Sequence, residues 1–309
     1  MNKIIIWSVI AFFLVLVVGL IFSSLITTNK LETNKQEISN NFGDIKIITD
    51  TADIVFVTSE KSNSLVVCDE QKNVNHLVKV KDNTLLIKVD DNRKWYEHIG
   101  INFNTPKITI YLPRNEYGKL SIKSSTGDIN IPKNFKFKSI DILEDTGNIV
   151  NYSSVYENII IKTSTGDIHT ENISANKIEL STSTGEVDVT GVKCSENIKI
   201  NVSTGNVNIV DTNCKNLLSK GSTGNISLKN VIAIEKFSIE RSTGDVKFKN
   251  SDASDIFMKT DTGNVTGNLL TDKVIFAQTD TGKIDIPKTM AEEKCEIITD
   301  TGDIKITVD

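Results

Sequence analysis

Residues 198–210 read "IKINVSTGNVNIV". Ile198, Ile200 and Val202 alternate with polar residues, a Ser-Thr-Gly-Asn turn follows, and Val207 and Ile209 resume the alternation. Period two on both sides of a turn marks two half-buried strands. Gly205 supplies positive φ without steric cost, and its polar neighbours suit a turn.

The same unit recurs along the chain. Thr-Gly places glycines at Gly127, Gly147, Gly166, Gly185, Gly205, Gly224, Gly244, Gly263, Gly282 and Gly302, always 19 or 20 residues apart. Two residues beyond each glycine stands Ile or Val, and seven before it an apolar residue runs from Leu120 to Cys295. A unit of this size cannot bury an apolar face alone, whereas stacked units share one continuous core. The expected fold is therefore all-β: a single-stranded parallel β-solenoid of about ten rungs, each rung on its predecessor. Right-handed winding follows from the general preference of parallel crossovers. A weaker third apolar position falls seven after glycine, at Ile173, Val192, Val231 and Leu270. Cys194 and Cys214 both lie nine after glycine, so the period sets them on neighbouring rungs. They read as reduced, buried, small apolar fillers, with a disulfide as the alternative.

The repeat occupies residues 119–309. Upstream, "FGDIKIITDTADIVFV" at 42–57 is a degenerate copy with Ala52 in the glycine slot, followed by alternating runs such as "TLLIKVDD". Residues 41–118 are thus expected to be degenerate first rungs and a β cap, since an open solenoid end is an unpaired sheet edge. Before them, residues 4–26 form an uncharged run of 23 residues. A helix of that length rises about 34 Å and crosses a hydrocarbon core of about 30 Å. It reads as an uncleaved single-pass transmembrane helix, with a cleaved signal peptide as the competitor. Residues 1–3 would be a short cytoplasmic tip and 27–40 a polar stalk, with the bulk of the chain extracytoplasmic.

The net charge of −5 repels phosphate backbones and argues against nucleic acid as a partner. The expected partners are the membrane, through the N-terminal helix, and another envelope or membrane protein or a cationic peptide. No cofactor is expected. Cys68, Cys194, Cys214 and Cys295 form no Cys-x-x-Cys or Cys/His cluster in sequence, and His76, His98 and His169 stand apart.

Asp-Thr-Gly, the aspartic-protease signature, occurs at 145, 261, 280 and 300, but six other copies carry Ser in that slot. A dyad needs two converging carboxylates, a demand that a turn exchanging Asp for Ser does not meet; no catalytic residue is expected. Carbohydrate-active β-helices build clefts from long insertions between rungs, and here the period leaves no room for one. The insertion-like "DDNRKWYEHIGINFN" at 90–104 offers Trp95, Tyr96 and His98 as binding candidates, or as cover for the first rung. Asp261, Asp280 and Asp300 share a column and are the candidate metal ligands, although solvent screens exposed columns. Thr-x-Thr pairs suggest ice binding only superficially, because the first Thr shares parity with buried positions.

"ITIYLP" at 108–113, "KLSIKSSTGDINI" at 119–131 and the serial "STGDI" and "DTGNV" repeats resemble the bacterial Toastrack family, also labelled putative adhesin, over residues 41–309. The resemblance implies a membrane-linked, extracytoplasmic β-solenoid, often associated with cell-envelope stress systems that respond to membrane-active peptides. It carries no catalytic residues. The expected function is a non-enzymatic, membrane-anchored binding or scaffold module in envelope stress sensing or response. The alternatives are a surface adhesin for cell-wall or host polymers and a carbohydrate-active enzyme.

Overall fold

In the computed structural model, residues 31–93, 104–113 and 116–308 are described, and all their regular structure is strand. Among them no helix is long and apolar enough to cross a membrane. The expected anchor at 4–26 and the tip at 1–3 lie outside the described residues.

The central repeats wind into three sides. Around Gly166, Asn158–Thr165 forms a long strand, Ile168–Glu171 a second, and Ser174–Ala175 a short third. Every side pairs in parallel with its counterpart on the next rung: Ile159 with Ile178, Ile168 with Val187, Ala175 with Cys194. Alternate side chains therefore point inward, and Ile159, Ile161, Ile168, Ile173 and Ala175 are all buried.

The turn explains the Thr-Gly-Asx signature. Gly205 has φ +143°, and a Cβ on it would fall 1.8 Å from the Gly185 carbonyl oxygen of the rung below. The polar residue after glycine does more than tolerate a turn. Its side chain accepts the backbone N–H of the equivalent residue one rung on: Asn148 N–H donates to Asp128 Oδ1 at 2.8 Å, Asp167 to Asn148 at 2.9 Å, Asp245 to Asn225 at 2.8 Å. A polar ladder thus runs along the solenoid beside the glycine column.

Three residues before glycine an inward column of threonines turns its hydroxyls onto the backbone. Thr182 donates to the Gly166 carbonyl, Thr260 to Gly244 and Thr299 to Gly263, each at 3.0 Å. Ice could not reach them. Five copies depart from threonine: Ser124, Glu144, Val202, Gly221 and Arg241. Arg241 is 3 % exposed and its Nη1 donates to the Val202 carbonyl, 39 residues back, at 2.9 Å. Gly221 makes the space, since a Cβ there would lie 1.5 Å from that Nη1. Burial lowers the Arg241 pKa to about 10. Glu144 is fully buried; burial pushes its carboxyl up to about 7, with Asp145 and Asp128 adding to the shift and Ser124 opposing it.

At both ends the stacking order departs from the chain order, which corrects the expectation that each rung sits on its predecessor. Lys294–Thr301 pairs with Asp255–Thr262 on one side and with Val274–Thr281 on the other. The polar ladder follows the same path, from Asn264 to Asp303 to Lys283. The outer rung has only Ile284–Asp285 as its second strand, followed by Pro287, whereas the inserted rung has Ile304–Val308. A short strand ending near proline suits an edge, where it needs one partner only. Lys273, fully buried, bolts the arrangement, its Nζ 2.8 Å from Asp252 Oδ1 and also paired with Glu293. Burial opposes its charge, but the hydrogen bonds to those two carboxylates outweigh it, and its pKa is raised.

At the opposite end the degenerate copy lies second. Asp44–Ile48 pairs with Thr84–Asp91 outside it and with Glu116–Thr126 inside it. Beyond them the pairing turns antiparallel: Val74–Lys81 on Thr84–Asp91, Ser64–Glu70 on Lys107–Pro113, and Glu32–Ile38 on Ser64–Glu70. The solenoid body is parallel as expected, but its cap is not. The segment expected as a polar stalk supplies the outermost strand over Glu32–Ile38. An edge strand exposed on most sides needs no apolar alternation, and side-chain bonds such as Thr33 Oγ1 to Asp69 at 2.7 Å hold it.

Replacing Gly205 with Val should destabilise the chain by at least about 1–3 kcal/mol, the cost of a strained backbone, before the carbonyl clash is counted. Asp300→Asn, at an exposed turn, should be nearly neutral; denaturant midpoints compare the two. Because the Glu144 pKa is raised from 4.5 to about 7, the unfolded chain loses its proton first as pH rises. Stability should therefore fall by about 3 kcal/mol through that window. Glu144→Gln should flatten this slope; an unchanged slope between about pH 5 and about pH 8 would remove Glu144 as its origin.

Candidate functional site

The third side of the solenoid carries a concavity of about 620 Å³. Its floor comes from small residues repeated at one position: Ala175, Cys194 and Cys214 on successive rungs, with Val155 at one end. Small side chains leave the side shallow where the other two sides are filled by Ile, Leu and Phe. Ile234 and Tyr156 stand at the margins, 72 % and 53 % exposed. The Tyr156 hydroxyl donates to Glu116, and this bond to a carboxylate, chiefly, raises its pKa. The volume lies in the usual range for ligand sites, and the lining is mainly apolar. An open, apolar trough of this kind receives an extended apolar chain by burying its surface.

Cys194 and Cys214 are free and buried, on neighbouring rungs where the period places them. The Cys194 thiol donates to the Asn176 carbonyl at 3.1 Å. Burial raises its pKa, and burial together with the adjacent Cys194 pushes Cys214 up to about 12. Neither is an activated nucleophile.

Trp95, Tyr96 and His98 lie outside the described residues. The aspartates do share a column, but the inserted rung makes its order Asp261, Asp300, Asp280. Lys259 Nζ lies 3.6 Å from Asp261. All ten Thr-Gly glycines occupy positive-φ turns.

Residues that form no Cys/His cluster in the sequence do come together in the cap. Cys68, Glu70 and His76 are all buried, and their ligating atoms lie within 4.8 Å of one another. This is the single such group of three among the described residues. His76 is six residues and one turn beyond Glu70, so the grouping depends on how Ser64–Glu70 and Val74–Lys81 sit over the first rungs. The cue in sequence was a Cys-Asp-Glu run on an alternating strand followed by a His on the next; it is weak.

The family model described as Toastrack DUF4097 matches residues 42–232 and 194–309. Two solved structures from Parabacteroides distasonis share the architecture. One, described as a putative lipid binding protein, has TM-score 0.54 and 20 % identity and covers 78 % of this chain and 97 % of its own. The other, described as a putative adhesin, has TM-score 0.54 and 15 % identity, with coverages of 77 % and 97 %. At these identities the likeness is one of fold. No curated protein matches the chain.

With burial holding every thiol above its ordinary pKa, all four cysteines should react slowly with an aromatic disulfide at about pH 8. They should react fully once the chain is unfolded. Fast labelling of Cys194 in the folded chain would show that its thiol is not buried beneath the trough floor.

Proposed function

The chain belongs to the Toastrack family, and from that membership and its third-side trough we propose that it is a non-enzymatic binding module. In this reading residues 4–26 hold the chain in a membrane and the solenoid stands on the extracytoplasmic side. The occupant of the trough is an extended, amphipathic peptide segment, either free or part of another envelope protein. The observation that carries the reading is the trough itself: a shallow apolar floor made by small residues at one repeat position, with exposed Ile234 and Tyr156 at its margins. The net charge of −5 favours a cationic sequence for the segment. A role in the response to membrane-active peptides, which the family resemblance implies, is compatible with such a ligand. The two solved structures, one described as a putative lipid binding protein and one as a putative adhesin, fit a protein that holds ligands rather than transforms them.

A labelled cationic amphipathic peptide, followed by fluorescence anisotropy against the full chain in mild detergent, tests this. Ile234→Ser with Tyr156→Ser should weaken binding by about tenfold or more, as loss of central apolar contacts does. Binding that is unchanged in the double variant but abolished by salt would assign the peptide to the acidic surface and end the case for the trough.

A further inference from the structure

The cap cluster of Cys68, Glu70 and His76 combines three chemistries at one buried point. Cys68 and Glu70 project from the inward face of Ser64–Glu70, and His76 from the inward face of Val74–Lys81. His76 Nδ1 lies 2.9 Å from Glu70 Oε1, and the His76 backbone N–H also donates to that oxygen. On the other edge of the ring, Nε2 lies 2.9 Å from the hydroxyl of Thr49. Each of the three residues is at most 3 % exposed.

From this geometry we propose a structural site for a divalent transition metal of the zinc type, ligated by Cys68 Sγ, a Glu70 carboxylate oxygen and His76 Nδ1. The donor set decides the class of ion. Thiolate with imidazole and carboxylate suits a borderline-soft cation such as Zn²⁺, whereas Ca²⁺ and Mg²⁺ take oxygen ligands. Bonds of about 2.0–2.3 Å in a tetrahedron set ligand atoms roughly 3.3–3.8 Å apart, so in a group already within 4.8 Å the His76–Glu70 pair at 2.9 Å opens slightly and the ligand atoms reach this spacing by small side-chain rotations. Charge agrees too. A dication with one thiolate, one carboxylate and a neutral imidazole sums to zero, which a buried site requires.

Thr49 completes the arrangement as an orienting partner. With Nε2–H donated to its hydroxyl, Nδ1 is left free to face the metal, the usual way a ligating imidazole is held. Binding exchanges the thiol proton, released to solvent, for a sulfur–metal bond, and the fourth tetrahedral position is left to water. Thr49 follows the strand Asp44–Ile48 while the three ligands belong to the cap, so the metal would fasten the cap to the second rung of the stack.

The test is to unfold the full chain, refold it in mild detergent with Zn²⁺ or Co²⁺, and remove loose metal. About one metal per chain should remain, Co²⁺ should show a thiolate charge-transfer band with intense four-coordinate visible bands, and chelator should lower Tm. Cys68→Ser should lose the charge-transfer band and Cys295→Ser should keep it. A refolded wild-type chain that retains neither metal overturns the proposal, as does a band that survives in Cys68→Ser. Should Cys68→Ser fail to fold, the wild-type stoichiometry and the Glu70→Gln variant, expected to bind at least about tenfold more weakly, decide the matter.

Discussion

One contact dictates the rest of this molecule: the glycine of each turn lies against the carbonyl of the residue in the same slot of the neighbouring rung, Ala52 for Gly127 and a glycine for the others, so close that a Cβ would fall about 2 Å from the oxygen. The N–H of the same glycine donates to the threonine carbonyl of the rung on the other side, as Gly147 does to Thr165 at 2.9 Å. No other residue combines the required φ with that approach. Because the glycines must stack in line, so must everything at fixed distance from them. The Ile and Val two residues on, the acceptors one residue on and the inward threonines become columns for that reason.

A ladder repeated so regularly tolerates only substitutions that preserve its volume. Where a threonine column admits Arg241, the rung below gives up its side chain at Gly221. Where the third side admits small residues at Ala175, Cys194 and Cys214, nothing refills the space, and the surface sinks into a trough. The first exception is compensated in the interior and the second is left open to solvent. That difference separates a packing adjustment from a candidate binding surface.

Much of the body was legible from the period alone, because Gly and β-branched residues at fixed spacing have few other uses. The sides, the inward parity and the neighbouring positions of Cys194 and Cys214 follow from it. The order of the terminal rungs was not legible, since Thr281-Gly282 and Thr301-Gly302 carry the same signal and either could stack on Thr262-Gly263. What separates them is the length of the following strand and the buried Lys273 held by Asp252 and Glu293, neither of which has a periodic signature. The Cys68, Glu70 and His76 group was hidden for a related reason: its members lie on two cap strands, Ser64–Glu70 and Val74–Lys81, each paired antiparallel with a different neighbour, an arrangement the repeat does not encode.

The inserted rung also constrains how the chain can assemble. Repeat proteins ordinarily grow by adding each unit to the last, and here residues 44–59 permit that growth on both sides, toward 84–113 and toward 116–131. At the other end the sequence of events must differ. A nascent chain can extend its stack in order only as far as Leu269; residues 274–285 then have no correct partner until 294–308 have been synthesised and seated beside Asp255–Leu269. Assembly of this end is therefore a delayed closure, with an interval in which residues 274–285 wait undocked beside an open edge.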